Sequence, residues 1–160
     1  MAKDVVDILG ESLDIVEAEF VNLKQSTVRS VDGGHIDMQQ VGALSIDGER
    51  VEVTQGAAAV VRGHNVSMNQ SLGLVAAGSN VNLNFSLIPA TIASEKIEIN
   101  KSAAGVLAAN TINANNSTSI LMIGNNVSGN VTTLLDWRSA LAIGAVAGGI
   151  FGLLTMFKRR

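Results

Sequence analysis

The 160-residue chain has no cysteine, no tyrosine, a single proline and only 3% aromatic residues. Without cysteine there is no disulfide framework and no thiolate metal site. Without large rings the core has to be built from Val, Ile, Leu and Ala, which still bring the apolar share to 47%. Such a core suits narrow coils into which aromatic side chains do not fit. The net charge of −3 carries no general footprint for nucleic acid, so no nucleic-acid partner is expected. Charge is also missing locally: no Asp, Glu, Lys or Arg occurs from Ala103 through Leu135. The earlier part is different, with Arg29, Asp32, Asp37, Asp47, Glu49, Arg50, Glu52 and Arg62.

What is present is a repeat. Val21, Ile36, Val51, Val66, Val81, Ile97, Ile112 and Val127 follow one another at 15 residues, with one gap of 16. Each unit opens with alternating apolar and polar residues, as in Val81-Asn82-Leu83-Asn84 or Ile97-Glu98-Ile99-Asn100. Period two is the mark of a strand with one buried face. Further columns hold register. The sixth position has Ser26, Ser71, Ser86, Ser102 and Ser117, and the thirteenth has Gly33, Gly48, Gly63 and Gly78. A small residue once per unit marks a tight corner or a close backbone approach. The fourth position has Asn69, Asn84, Asn100, Asn115 and Asn130, whose amides are expected to hydrogen-bond up a stack.

Units of this length suit one coil of a parallel β-solenoid, stacked on the next by parallel ladders. The expected fold is all-β: a solenoid of about 7 coils over residues 21–135, between an N-terminal segment, 1–20, and a C-terminal one, 136–160. The sixteenth residue of the Val81 coil falls between Ile88 and Lys96, near Pro89, and is expected to bulge at a corner.

The N-terminal segment reads as an amphipathic helix. Val6, Leu9, Leu13, Val16 and Phe20 follow at spacings of 3 and 4, one helical stripe. Its roles are a cap over the first coil, whose ladder edge needs a cover, and a partner-binding surface carried by Val6, Leu9, Leu13 and Val16.

At the other end, Ser139 to Phe157 runs 19 residues without a charge. As a helix it would span about 28 Å, close to a hydrocarbon core. Trp137 and Arg138 before it, and Lys158, Arg159 and Arg160 after it, suit the two membrane interfaces. Ala140, Gly144, Gly148 and Gly152 form a small-residue row of the kind that lets membrane helices approach. The expectation is a single-pass C-terminal anchor in a lipid bilayer. With no N-terminal signal, the solenoid is placed on the cytoplasmic side, although the basic tail pulls against that orientation.

No catalytic constellation is visible, and no residue set suggests a cofactor or metal. His35 and His64 fall at corners of different columns. The feature that points to function lies in the ninth and twelfth columns, read as outward-facing. They begin with Arg29, Asp32 and Asp47 and turn apolar down the stack: Leu74, Ile92, Ile120 and Ile123. An exposed apolar surface of this kind usually marks an interface. Together with the Ala140, Gly144, Gly148 and Gly152 row it suggests a homo-oligomer, a trimer ahead of a dimer. The best functional expectation is a non-catalytic, membrane-anchored scaffold that self-associates and tethers a protein partner.

The parallel stack, polar rows and absent catalytic residues together resemble the architecture of bactofilin-like polymer-forming solenoids. That resemblance implies a cytoskeletal filament as the alternative function. The 15-residue unit and the apolar C-terminal segment depart from that pattern, and a filament needs two bare ends, whereas a helical cap and an anchor would close both. An enzyme is the third reading.

Overall fold

The computed structural model describes residues 5–133. Ten strands follow in order: β1 (Val5–Leu9), β2 (Ser12–Lys24), β3 (Thr27–Gln39), β4 (Gly42–Thr54), β5 (Ala57–Asn69), β6 (Leu72–Asn84), β7 (Leu87–Asn100), β8 (Ala103–Ala108), β9 (Thr111–Ile123) and β10 (Asn126–Thr133). Each pairs in parallel with its neighbour, and β7 also pairs with β9 where β8 is short. The register is one coil: Val21 lies beside Ile36, Ile36 beside Val51, and so on to Ile112 beside Val127. The chain is a parallel β-solenoid of about nine turns, with coil 1 beginning at Val6 and coil 9 at Val127.

The N-terminal helix is not there. Val5–Leu9 and Ser12–Lys24 are strands, and Val6 pairs with Val21 in the register of the later coils. The repeat therefore starts one unit earlier than position 21. The misreading has a physical cause. Val6, Leu13 and Val16 occupy the first, eighth and eleventh positions of a coil, all inward-facing. Their spacings of 7 and 3 are also spacings along one helix face. Leu9 separates the two readings: a helix stripe would bury it, and it is 69% exposed.

Within a coil the inward positions are one, three, six, eight, eleven and thirteen. In the Val81 coil these are Val81, Leu83, Ser86, Ile88, Thr91 and Ala93, all buried. They form three pairs, each five residues after the last. The ladder breaks between them. It skips the ninth position (Leu44 beside Ala59) and the fourteenth (Glu49 beside His64). At the fifth position the backbone enters the left-handed region in Gln25, Gln40, Gln55, Gln70, Phe85, Lys101 and Asn116. Three breaks per coil make a three-sided cross-section, each side offering two side chains to a core one coil deep.

The corners explain the small and polar columns. At the thirteenth position a Cβ on Gly63 would stand 2.6 Å from the Gly48 carbonyl oxygen, so the glycine column records close approach of neighbouring coils. At the sixth position the serine hydroxyl turns back on its own coil and also serves the preceding one. Ser86 Oγ donates to the Asn84 carbonyl at 2.8 Å and accepts from the Ser71 amide at 3.3 Å. The buried serine of this column is thereby paired, whereas Thr91 Oγ1 and Ser119 Oγ, at other inward positions, are buried without a hydrogen-bond partner among the described residues. The extra residue of β7 falls between Ala93 and Lys96, where the ladder to β6 shifts register, and the stack continues beyond it.

Candidate functional site

The three outward sides differ in chemistry. One carries positions fifteen, two and four; Val5, Leu9 and Phe20 make its first rows partly apolar, and from His35 onward it is polar, with Arg50, Glu52, Ser67, Asn82 and Glu98 lining a shallow groove of about 400 Å³. Its charges are matched within rows. Arg50 pairs with Glu52 at 3.1 Å, Lys96 pairs with Glu98, and Asn82 donates to Glu98 at 3.4 Å. These groups are largely solvated, and such pairs contribute only about 0–1 kcal/mol each. The expected asparagine ladder of the fourth position is replaced by a different one. Glutamines at the left-handed corner bond up the stack, Gln25 to Gln40 at 3.1 Å, Gln40 to Gln55 at 3.3 Å and Gln55 to Gln70 at 3.0 Å. Asn84 instead turns sideways to Asn82.

Histidines add little. Phe20 and His35 stack with ring centroids 5.9 Å apart. Ser79 Oγ lies 3.0 Å from His64 Nδ1, an exposed contact between adjacent coils at one corner. Among the described residues no ion pair joins His64 to a carboxylate. Also among the described residues, no group of three or more His, Asp or Glu is gathered around a cation-sized space.

The other two sides carry the apolar surface. Leu74 is 61% exposed, Ile92 56%, Ile120 48% and Ile123 56%, so the ninth and twelfth columns do face outward. The seventh column belongs with them. Leu72 and Leu87 are exposed there, and Val106 in the tenth column is exposed as well. Between Leu44 on one coil and Leu72 with Leu74 two coils on, the side chains shrink to Ala57 and Ala59. This leaves an apolar hollow of about 430 Å³. The signal for the seventh column was in the sequence, two residues before each ninth-position residue, where a strand returns to the same face.

The remaining candidates are placed as follows. Val16 is buried and Val6 and Leu13 pack against the core, which leaves Leu9 alone of the four partner-binding candidates in solvent. Trp137, Arg138, Ala140, Gly144, Gly148, Gly152, Lys158, Arg159 and Arg160, and with them the C-terminal transmembrane helix, lie outside the described residues. Among the described residues no helix is long and apolar enough to cross a membrane. No protein-family model, curated protein or solved structure matches the chain.

Proposed function

We propose that this protein is a non-catalytic scaffold: a β-solenoid held at a membrane by its apolar C-terminal segment, self-associating along its apolar sides and tethering a protein partner. The observation that carries this reading is the exposed row Leu72, Leu74, Leu87, Ile92, Val106, Ile120 and Ile123. All seven lie in stretches without charge, 71–94 and 102–135, and exposed apolar surface of this extent calls for a partner in water. The membrane component rests on the uncharged sequence from Ser139 to Phe157. Mass measurement in mild detergent and membrane fractionation test the two parts separately. A wild-type chain that is monomeric at micromolar concentration removes the self-association. A chain lacking residues 137–160 that still sediments with salt-washed membranes removes the anchor.

One observation favours a second reading, an end-to-end polymer. With strands in place of the helix, β1 pairs on one side with β2 and its other edge takes no pairing among the described residues. An open parallel edge is a template for another chain. Electron microscopy of the purified protein separates the two: discrete particles for the scaffold, rods one coil stack wide for the polymer.

A further inference from the structure

The hollow over Ala57 and Ala59 and the ridge beside it are complementary in a way that selects one mode of self-association. We infer that two copies pack face to face and antiparallel through the side carrying the seventh and ninth positions. The two-fold axis lies along the strand direction, between coils 4 and 5. Under that operation coil 5 faces coil 4 of the other copy, coil 6 faces coil 3, and each position faces its own kind. Leu72 then meets Ala57, Leu74 meets Ala59, and Leu87 meets Gly42. The ridge of each copy fills the hollow of the other, and both contacts are made twice, as an isologous interface requires.

Moving the axis by half a coil loses this fit, since Leu74 then meets Leu44. Charge points the same way. Arg29 and Asp14 form a pair at 3.4 Å on this side of the solenoid, in coils 2 and 1. Parallel copies, as in a two-fold or three-fold bundle about the long axis, would hold Arg29 of each copy at one level and Asp14 of each copy at the level below. The antiparallel pair sets Arg29 opposite Gly105 and Asp14 opposite Ile120 and separates the like charges by most of the stack, while each Arg29 keeps its own Asp14 as partner at the rim. Size is sufficient too. Eight coils at about 4.8 Å and a side about 16 Å wide give roughly 600 Å² per copy. The total of about 1,200 Å² is within the range of specific interfaces. The pair has its two C-terminal ends at opposite poles, so an anchored pair lies along the bilayer instead of standing on it.

This inference deepens the proposed self-association, and one experiment separates their failures. Full-length chains in mild detergent carry a single spin-labelled cysteine in place of Gln39, Asn69 or Asn115, all exposed and away from the contact. The native chain has no cysteine to interfere. Antiparallel packing offsets the two labels along the stack by three, one and seven coils, or about 14, 5 and 34 Å at about 4.8 Å per coil. The measured separation is therefore smallest at Asn69 and largest at Asn115. Equal separations at all three sites, with the chain still oligomeric, overturn the antiparallel arrangement and leave self-association standing. A monomer overturns both. Exchange of ridge and hollow gives a second readout. Ala57→Leu and Leu72→Ala alone each weaken association roughly tenfold, and the double variant restores it. Ala57→Leu adds exposed apolar area, so tighter association of that variant overturns the fit.

Discussion

Replacing Val81 by Asp tests which residues face the core, with Asn82→Asp as its neighbour control. Val81 is 2% exposed and lies in the ladder between Val66 and Ile97. Removing its side chain from the apolar column forfeits about 1.5–3 kcal/mol of burial. The introduced carboxyl has no buried cation beside it, so it either stays ionised at several kcal/mol or takes up a proton. A buried carboxyl commonly titrates a few units above its usual value, at about 1.4 kcal/mol per unit. The two losses together reach at least about 5 kcal/mol at neutral pH, comparable with the whole stability of many domains at about 5–15 kcal/mol. Asn82 sits half-buried on the polar side. Its change to Asp loses one 3.4 Å hydrogen bond to Glu98 and sets two carboxylates near each other, with Lys96 close by. That costs about 1 kcal/mol.

Urea unfolding followed by circular dichroism on the full chain in mild detergent reads both. The pH dependence has a definite sign. The folded state of Val81→Asp holds its proton to higher pH than the unfolded state, so its stability falls as pH rises above about 4, the usual carboxylate value. It recovers most of the ionisation penalty on acidification below that value. Equal midpoint shifts for the two variants, or a larger shift for Asn82→Asp, would refute the assignment of inward and outward positions.

Three further substitutions test the corners. Ser86→Ala leaves the buried Ser71 amide without its hydroxyl acceptor and is expected to cost about 1–3 kcal/mol, read as a lower denaturation midpoint. Gly63→Ala drives a methyl against the Gly48 carbonyl and is expected to cost roughly 1–3 kcal/mol, whereas an unchanged midpoint would show that the coils do not approach closely there. Phe85→Asn goes the other way: Phe85 holds φ at 48° at an exposed corner, and Asn, which tolerates that conformation, is expected to raise stability by about 0.5–1 kcal/mol.

The solenoid was legible because its determinants are local and repeated. One apolar column at 15-residue spacing sets the register of every ladder from β2 to β10. The glycine and serine columns follow from corners that recur at the same place. Other features were not read because they compete with a second pattern or leave a faint one. Coil 1 was hidden because the inward positions of a three-sided coil include spacings of 3 and 7, which a helix face shares. The pair Val6 and Ile8, in register with Val21 and Leu23, would have settled it. The left-handed corner escaped notice because its occupants are Gln25, Gln40, Gln55 and Gln70, where a glycine would have advertised it. Gly10, one coil earlier in the same column with φ of 72°, is the glycine the pattern would have supplied. The amide ladder was assigned to the fourth position on composition alone. The fifth carries it because only there does the corner hold successive glutamines at one orientation.

The apolar sides were legible in part for a related reason. Periodicity separates inside from outside, and it showed that Leu74, Ile92, Ile120 and Ile123 face away from the core. It is silent on how outward residues of successive coils combine into relief. The step from Leu44 down to Ala57 and Ala59 and up again to Leu72 and Leu74 becomes a hollow and a ridge only once the coils are stacked in register. Whether that relief matches itself under a symmetry operation is a question about the assembled surface. The seventh column then matters as much as the ninth. Its order Gly42, Ala57, Leu72, Leu87 ascends over coils 3 to 6, and a row graded over those coils sets large against small when it meets its own reverse. That is why residues which suggest a trimer ahead of a dimer, when read as an unordered apolar patch, favour an antiparallel pair when read in sequence along the axis.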